Sequence, residues 1–180
     1  MTEVRDLPRS GEGTARRCDD PEILAALHAI NQANVPAVGD IPITRMEHFA
    51  TVADRFTYLG GDPGRPEAGR PVGFLIALTP EADYGSPNFL WFREREASFL
   101  YVDRIAVEAS ARRAGAGRRL YDDLFARARA AGVPQVTCEV NLEPRNDVSL
   151  AFHESLGFRP VGEAFAQGHR VAYLACSIEL

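Results

Sequence analysis

The chain contains no lysine. All 20 of its basic residues are arginine, and 25 acidic residues outnumber them, which gives a formal net charge of -5. A protein that binds a phosphate backbone normally carries a basic excess, so this composition argues against a nucleic-acid partner. Because a guanidinium is not a titratable amine, only the N-terminus can present a primary amine on this chain.

Cysteine and long apolar runs are also scarce. The three cysteines, Cys18, Cys138 and Cys176, form no CxxC pair, a pattern that argues against a disulfide framework and against a zinc site. No apolar stretch approaches the roughly 20 residues that span a bilayer, and the N-terminal segment lacks the apolar core of a targeting signal. We therefore expect a soluble, cytoplasmic protein with reduced thiols, no metal and no membrane partner.

The length and composition fit one globular domain. The 180 residues are 46% apolar and 25% charged, enough to bury a sizeable core. Residues 1–12 are polar and flanked by glycine, so we predict a flexible arm there and a single domain over residues 13–180.

The pattern of apolar residues predicts an α/β protein. Helical spacing and capping residues predict helices over 21–32, 44–56, 118–132 and 147–157, and apolar runs predict strands over 14–18, 57–60, 72–78, 99–107, 135–141, 159–165 and 170–178. The order strand, loop, helix, strand in the middle indicates a parallel pair inside a mixed sheet. Residues 79–97 show no clear period but are rich in aromatics, as in a packed flap or a lid over a ligand.

A glycine-containing loop separates an apolar strand from an amphipathic helix. Its residues, Arg112 to Gly117, place backbone amides at a helix N-terminus, where a phosphate binds well. Gly115 and Gly117 would let the main chain approach a pyrophosphate without a side-chain clash. The loop has neither the lysine of a P-loop nor the third glycine of GxGxxG, and an ordinary turn is the alternative.

Two motifs carry a family resemblance. Arg112, Gly115 and Gly117 fill the fixed positions of the pattern [QR]xxGx[GA], and Asn146, Ser149 and His153 precede Leu156-Gly157-Phe158 at the spacing of a second pattern. Over residues 99–158 the chain therefore resembles the GCN5-related N-acetyltransferase (GNAT) superfamily. The resemblance implies a single GNAT-like domain with a mixed, mostly antiparallel twisted sheet of about six or seven strands, a splayed central parallel pair and about four flanking helices.

The resemblance also implies an activity and a cofactor site. The expected reaction moves an acetyl group from acetyl-CoA directly to a primary amine of a small molecule, an amino acid or a peptide N-terminus, without a metal. The residues expected to bind CoA are Ile105, Ala106, Val107, Arg112, Arg113, Ala114, Gly115, Ala116, Gly117, Arg118, Asn141, Asn146 and Ser149. Asn146 can equally be a helix cap.

Three residues are candidates for proton transfer. His153 stands where many relatives carry a tyrosine that acts as general acid, and an imidazole can take that role, or simply pack in the core. Glu139 lies mid-strand, and relatives that acetylate ribosomal proteins use a Glu at a comparable position as base, although two extra residues follow it here. Asp103 is the rival base, and the alternative for both carboxylates is pairing with an arginine such as Arg104.

The acceptor is harder to predict. The resemblance places it against Asn31, Asn34, Tyr84, Asn88 and Trp91, whose amides and aromatic rings suit a small amine or a peptide end. A catalytically silent acyl-CoA-binding module and an acyltransferase with a different CoA donor remain as alternatives. A homodimer through the last strand is also left open.

Overall fold

A computed structural model describes residues 3–10, 17–18, 20–60, 70–166 and 168–179. Within these ranges the helices are α1 (Pro21–Gln32), α2 (Ile43–Val52), α3 (Pro87–Arg93), α4 (Ala116–Ala131) and α5 (Asp147–Ser155). The strands are β1 (Val4–Asp6), β2 (Arg9–Ser10), β3 (Arg17–Cys18), β4 (Arg55–Gly60), β5 (Pro71–Leu78), β6 (Leu100–Val107), β7 (Gln135–Glu143), β8 (Arg159–Ala166) and β9 (His169–Ser177).

Seven strands form one mixed sheet in the order β1-β4-β5-β6-β7-β9-β8, and β2 pairs with β3 separately. The pairs β1 with β4, β4 with β5, β7 with β9, and β8 with β9 are antiparallel. β6 and β7 are parallel, with Leu100 to Val102 in register with Val136 to Cys138. This arrangement confirms the predicted α/β fold with a mostly antiparallel sheet and a central parallel pair.

The chain divides into two compact units. One comprises the residues up to Ala77 together with Arg104–Leu124, and the other comprises Leu78–Asp103 together with the residues from Phe125 onward. In the first unit the core contains Leu27 and Phe49, both fully buried. In the second unit the core is aromatic and includes Phe89, Tyr101 and Tyr173.

Helix α1 occupies the predicted residues because its start is well specified. The side chain of Asp20 accepts hydrogen bonds from the amides of Glu22, at 3.0 Å, and Ile23, at 3.1 Å. Pro21 takes the first helical position, where a missing amide proton costs nothing.

The second helix ends earlier than the sequence predicts. Helical spacing carries the prediction to residue 56, but the backbone of Ala53 is extended and Phe56 lies fully buried in β4. A single buried aromatic fits a helical and a strand pattern equally well, so the spacing placed Phe56 in the wrong element.

Two further segments differ from expectation. Val4–Asp6 form a strand paired with Thr57 to Leu59, where the sequence predicts a loose arm, and the pairing supplies order that local composition does not reveal. Pro87–Arg93 form helix α3 inside the segment without a clear period, with Phe89 and Phe92 buried. Of the strand predicted over 14–18, residues 14–16 lie outside the described residues, and Arg17–Cys18 form β3.

Candidate active site

The glycine loop joins β6 to α4 through left-handed backbone. Arg113 has a φ of 63° and Gly115 a φ of 78°, and α4 begins at the next residue, Ala116. Gly115 is exposed, and a Cβ built on it would meet no atom within 4 Å. The N-terminus of the 16-residue helix α4 therefore opens to a surface that an anion can reach.

The side chain of Arg112 binds protein atoms. Its Nη2 donates to Oδ1 of Asn34 at 2.7 Å, and its Nε donates to the carbonyl of Val107 at 3.3 Å. The amide of Asn34 donates in turn to the carbonyl of Ile30 at 2.8 Å. A residue expected at the cofactor and a residue expected at the acceptor are thus brought together, and they fix the end of α1 to the end of β6.

A second arginine, Arg104, also binds the end of α1. Nη1 of Arg104 donates to Oδ1 of the fully buried Asn31 at 2.9 Å, and the guanidinium lies 5.1 Å from the centre of the Phe49 ring. Nδ2 of Asn31 donates to the carbonyl of Gly39 at 3.1 Å. The structure thus places Asn31 in the last turn of α1, where it bridges Arg104 and the segment between α1 and α2.

The parallel pair brings two carboxylates to one face of the sheet. Val102 is in register with Cys138, so Asp103 and Glu139 occupy the next position of each strand, and paired residues of parallel strands point to the same side. Both side chains are partly exposed.

Both oxygens of Glu139 receive hydrogen bonds. The hydroxyl of Tyr101 donates to Oε2 at 2.6 Å, and Nδ2 of Asn88 donates to Oε1 at 3.0 Å. The hydroxyl of Tyr173 donates to Oδ1 of Asn88 at 3.1 Å. The carboxylate is therefore held in one orientation by Asn88 of α3 and Tyr101 of β6, and Asn88 is bonded in turn to Tyr173 of β9.

The environment raises the pKa of Glu139 to about 7. Burial is the main cause, because it disfavours the charged form, and the negative charge of Asp103 adds to it. The hydrogen bonds from Tyr101 and Asn88 act in the opposite direction. A carboxyl group with this pKa exchanges protons near neutral pH, which is the property required of a general base.

Asp103 carries a partner of its own. The hydroxyl of Tyr84 donates to Oδ1 of Asp103 at 2.5 Å, and the Tyr84 ring packs edge-on against Phe89 at 5.6 Å. The structure therefore brings together Tyr84, which the sequence assigns to the acceptor, and Asp103, which it assigns to proton transfer.

His153 is a buried residue of α5, with 3% of its surface exposed. Its Nδ1 lies 2.8 Å from the carbonyl oxygen of Ser149, and since a carbonyl only accepts, this nitrogen carries the proton. The ring packs perpendicular to Phe158 at 5.2 Å. Burial lowers the pKa of His153, so the imidazole is neutral at neutral pH.

Two other predicted residues have local structural contacts. The side chain of Asn146 accepts from the amide of Ser149 at 3.0 Å and so caps α5. Trp91 stacks on Tyr173 with ring centres 4.3 Å apart, and a Cβ on Gly162 would lie 2.8 Å from the Trp91 ring.

Sequence reasoning did not identify Tyr101 and Tyr173 as site residues. Tyr101 shares the strand and the face of Asp103, and Tyr173 stands opposite Glu139 in the β7–β9 register. The alternation along β6 is a signal in the sequence that places Tyr101 on the face of Asp103, whereas the position of Tyr173 depends on a strand pairing that sequence spacing does not specify.

Among the described residues, no group of three or more His, Cys, Asp or Glu side chains is arranged to hold a metal ion. Within the same ranges, no helix has both the length and the apolar character needed to cross a membrane.

Comparison with known proteins identifies the family. The chain matches the model of the acetyltransferase (GNAT) family over residues 24–158. No curated protein matches it in sequence.

Solved structures share its fold. Ard1 from Thermoplasma volcanium is 15% identical, with 99% of each chain covered and a TM-score of 0.72. The ribosomal-protein-S18-alanine N-acetyltransferase from Escherichia coli is 17% identical, with 100% of this chain and 96% of that chain covered and a TM-score of 0.66. The protein yncA from Salmonella typhimurium, solved with its cofactor acetyl-CoA, is 14% identical, with 100% and 95% covered and a TM-score of 0.64. Since the family model spans most of the chain and includes both the glycine loop and Glu139, this protein belongs to the GNAT family of acetyltransferases.

Proposed function

We propose that this protein transfers an acetyl group from acetyl-CoA to a primary amine, with Glu139 as the general base. The observation that carries the proposal is the environment of Glu139: a carboxyl group fixed by two donors, whose pKa is raised to about 7.

The loop before α4 fits the pyrophosphate of CoA. Gly115 leaves open space where a side chain would stand, and the exposed side chains of Arg113 and Arg118 add positive charge next to the helix N-terminus. Arg112 contributes by holding the loop to Asn34 and the end of β6. When bound, acetyl-CoA supplies the acetyl group as an activated thioester.

Glu139 prepares the acceptor for attack. An aliphatic amine is mostly an ammonium ion at neutral pH and has no lone pair to offer until it loses a proton. The carboxylate of Glu139 accepts that proton, directly or through one water molecule, and the free amine then becomes the nucleophile. Because the pKa is near 7, a useful fraction of Glu139 is ionised at that pH and the protonated form can later release its proton.

The assignment of the acid is constrained by these ionisation states. Under the proposal Glu139 must be ionised to accept the amine proton, while His153, as acid, must be protonated so that it can give a proton to the thiolate that leaves as CoA. Burial lowers the pKa of His153 and raises that of Glu139, so the required pair of states is a minor one at every pH. His153 is retained as a candidate acid whose contribution depends on this minor form.

The proposed acceptor is a small amine or a peptide N-terminus. Tyr84 and Trp91 present partly exposed aromatic rings in the same unit as Glu139 and Asp103. Carboxylates beside aromatic faces attract a cation, which is the form in which an amine arrives. The similar enzyme from Escherichia coli is named for acetylating an alanine of a ribosomal protein, which makes peptide N-termini a natural part of the first screen.

Two measurements test the proposal. A thermal melt with acetyl-CoA, with ATP and NAD as controls, should show a stabilisation specific to CoA compounds. A screen of amines and short peptides, in which the release of the CoA thiol is measured, should find turnover. Glu139→Gln should lower that turnover at least a hundredfold. Gln135→Leu is the matched control, because it removes an amide from the same strand, where Nε2 of Gln135 donates to Glu96 at 2.8 Å. Binding of CoA without turnover on any amine would favour a silent module, and no binding would reject the proposal.

A further inference from the structure

We infer that Asn88 is a positioning residue for Glu139 and that Tyr173 stabilises the orientation in which Asn88 acts. The inference rests on the proposed function, because it concerns how the proposed base is held.

The direction of each hydrogen bond follows from the chemistry of the groups. A side-chain amide has one donor end and one acceptor end. The hydroxyl of Tyr173 lies 3.1 Å from Oδ1 of Asn88, and Nδ2 of Asn88 lies 3.0 Å from Oε1 of Glu139. If the amide rotated by half a turn, its oxygen would face the carboxylate and two acceptors would meet. A hydroxyl can donate or accept, so the carboxylate of Glu139 selects the orientation of the amide, and Tyr173 stabilises that orientation by donating to Oδ1 of Asn88.

The three residues lie on rigid elements of one unit. Asn88 sits in the first turn of α3 and is 5% exposed, and Tyr173 lies on β9 in register with Glu139 on β7. Tyr173 is further fixed by stacking on Trp91. The Asn88 donor therefore keeps Oε1 of the carboxylate in place, and the hydroxyl of Tyr101 donates to the other oxygen, Oε2.

The charged and titratable groups around Glu139 are known from each neighbouring element. From β6 come Tyr101 and Asp103, the latter also bonded to Tyr84, and from β9 comes Tyr173, on which the positive charge of Arg95, just after α3, also acts. Burial and the charge of Glu139 raise the pKa of Tyr173, so it remains a hydroxyl donor across the neutral range. Asn88 carries no charge and does not titrate, and its hydrogen bond to Glu139 lowers the pKa of that carboxyl group.

The test measures the ionisation of Glu139 directly. The carboxyl carbon of Glu139 is followed by NMR during a pH titration of the protein without ligands, and Glu139→Gln assigns the signal. Asn88→Leu should raise the midpoint by about half a pH unit or more, because a donor to the charged form is lost. Tyr173→Phe should raise it less, because Asn88 keeps its donor on Glu139 and loses only the hydroxyl that supports the amide oxygen. The double variant should titrate like Asn88→Leu alone, because the Tyr173 hydroxyl acts through Asn88.

Controls separate this role from a loss of packing. Gln135→Leu should leave the midpoint unchanged, and Tyr173→Phe keeps the ring and so remains informative if Asn88→Leu does not fold. An unchanged midpoint in the variants, or additive shifts in the double variant, would overturn the inference. Loss of turnover in Glu139→Gln together with an unshifted titration would overturn the inference alone, whereas full turnover in Glu139→Gln would overturn the proposed base and its positioning residue together.

Discussion

The hydroxyl of Tyr101 donates to Oε2 of Glu139 at 2.6 Å, across the parallel strands β6 and β7. Both residues lie in the sheet, so the base is supported by backbone that is already fixed by the fold. This hydrogen bond lowers the pKa of Glu139 against the larger effect of burial.

Replacing Tyr101 by Phe should therefore make Glu139 a weaker acid. The pKa rises above its value of about 7, and the acidic limb of the turnover profile moves to higher pH by about half a unit or more. Turnover on the high-pH plateau should fall less than turnover at pH 7. A pH profile of the variant checks this, and an unshifted limb would contradict it.

Replacing Glu139 by Gln should stabilise the fold while it removes activity. The folded pKa of about 7 exceeds the ordinary value of 4.5, so the native state binds more protons than the unfolded state between these values, and stability declines as pH rises through that window. Gln does not ionise and escapes this loss, a gain on the order of 3 kcal/mol at pH 8. Urea unfolding of both proteins at pH 5 and pH 8 should show a clearly larger gain at pH 8, because only a small part of the loss has occurred by pH 5.

Replacing Gly117 by Leu should weaken CoA binding. Gly117 lies in the first turn of α4, next to the exposed loop, and a large side chain there would obstruct a pyrophosphate at the helix N-terminus. The stabilisation by acetyl-CoA, roughly 2.7 kcal/mol at 100 times the dissociation constant, should largely disappear. Ala131→Leu, at the exposed end of the same helix, should retain the full shift.

Replacing His153 by Phe tests the acid. If the imidazole protonates the leaving thiolate, turnover should fall at least tenfold while affinity for CoA changes only a few-fold. Its lowered pKa adds a second expectation, since the wild-type contribution should diminish as pH rises. Equal turnover in the variant and the wild type across the pH range would assign the proton to another donor.

Replacing Gly162 by Ala should disturb the aromatic stack. The new Cβ would lie 2.8 Å from the Trp91 ring, which is stacked on Tyr173 and must shift, at a cost of about 1 to 3 kcal/mol. Gly85→Ala in the same unit is the control, because a Cβ there meets no atom within 4 Å. The melting temperature of Gly162→Ala should lie clearly below that of Gly85→Ala.

The sequence predicted the loop and the strand that carry the site, because both depend on local signals. Glycine spacing, an acidic helix cap and apolar runs are readable along the chain. Helix α3 was not predicted, because its short apolar face follows an irregular segment and becomes evident only when Phe89 and Phe92 are buried against the sheet. The role of Asn88 could not be predicted, because it depends on a contact with Glu139, 51 positions away in sequence.

The same limit applies to His153 and Arg112. Motif positions predict where a residue stands, but the partner of a side chain is set by tertiary packing. Arg112 fills a motif position and binds Asn34, and His153 stands at a tyrosine position and bonds to Ser149. Their roles in the reaction stay predictions.

The stacking of Trp91 on Tyr173 also gives the site an optical signal. Trp91 is the one tryptophan in the chain, so fluorescence excited at wavelengths that tyrosine does not absorb comes from this position alone. Its ring contacts Tyr173, whose hydroxyl bonds to Asn88 beside Glu139. Emission intensity should follow the protonation of Glu139 and the arrival of an amine, so that acceptors can be screened by light without labels and before any turnover is detected.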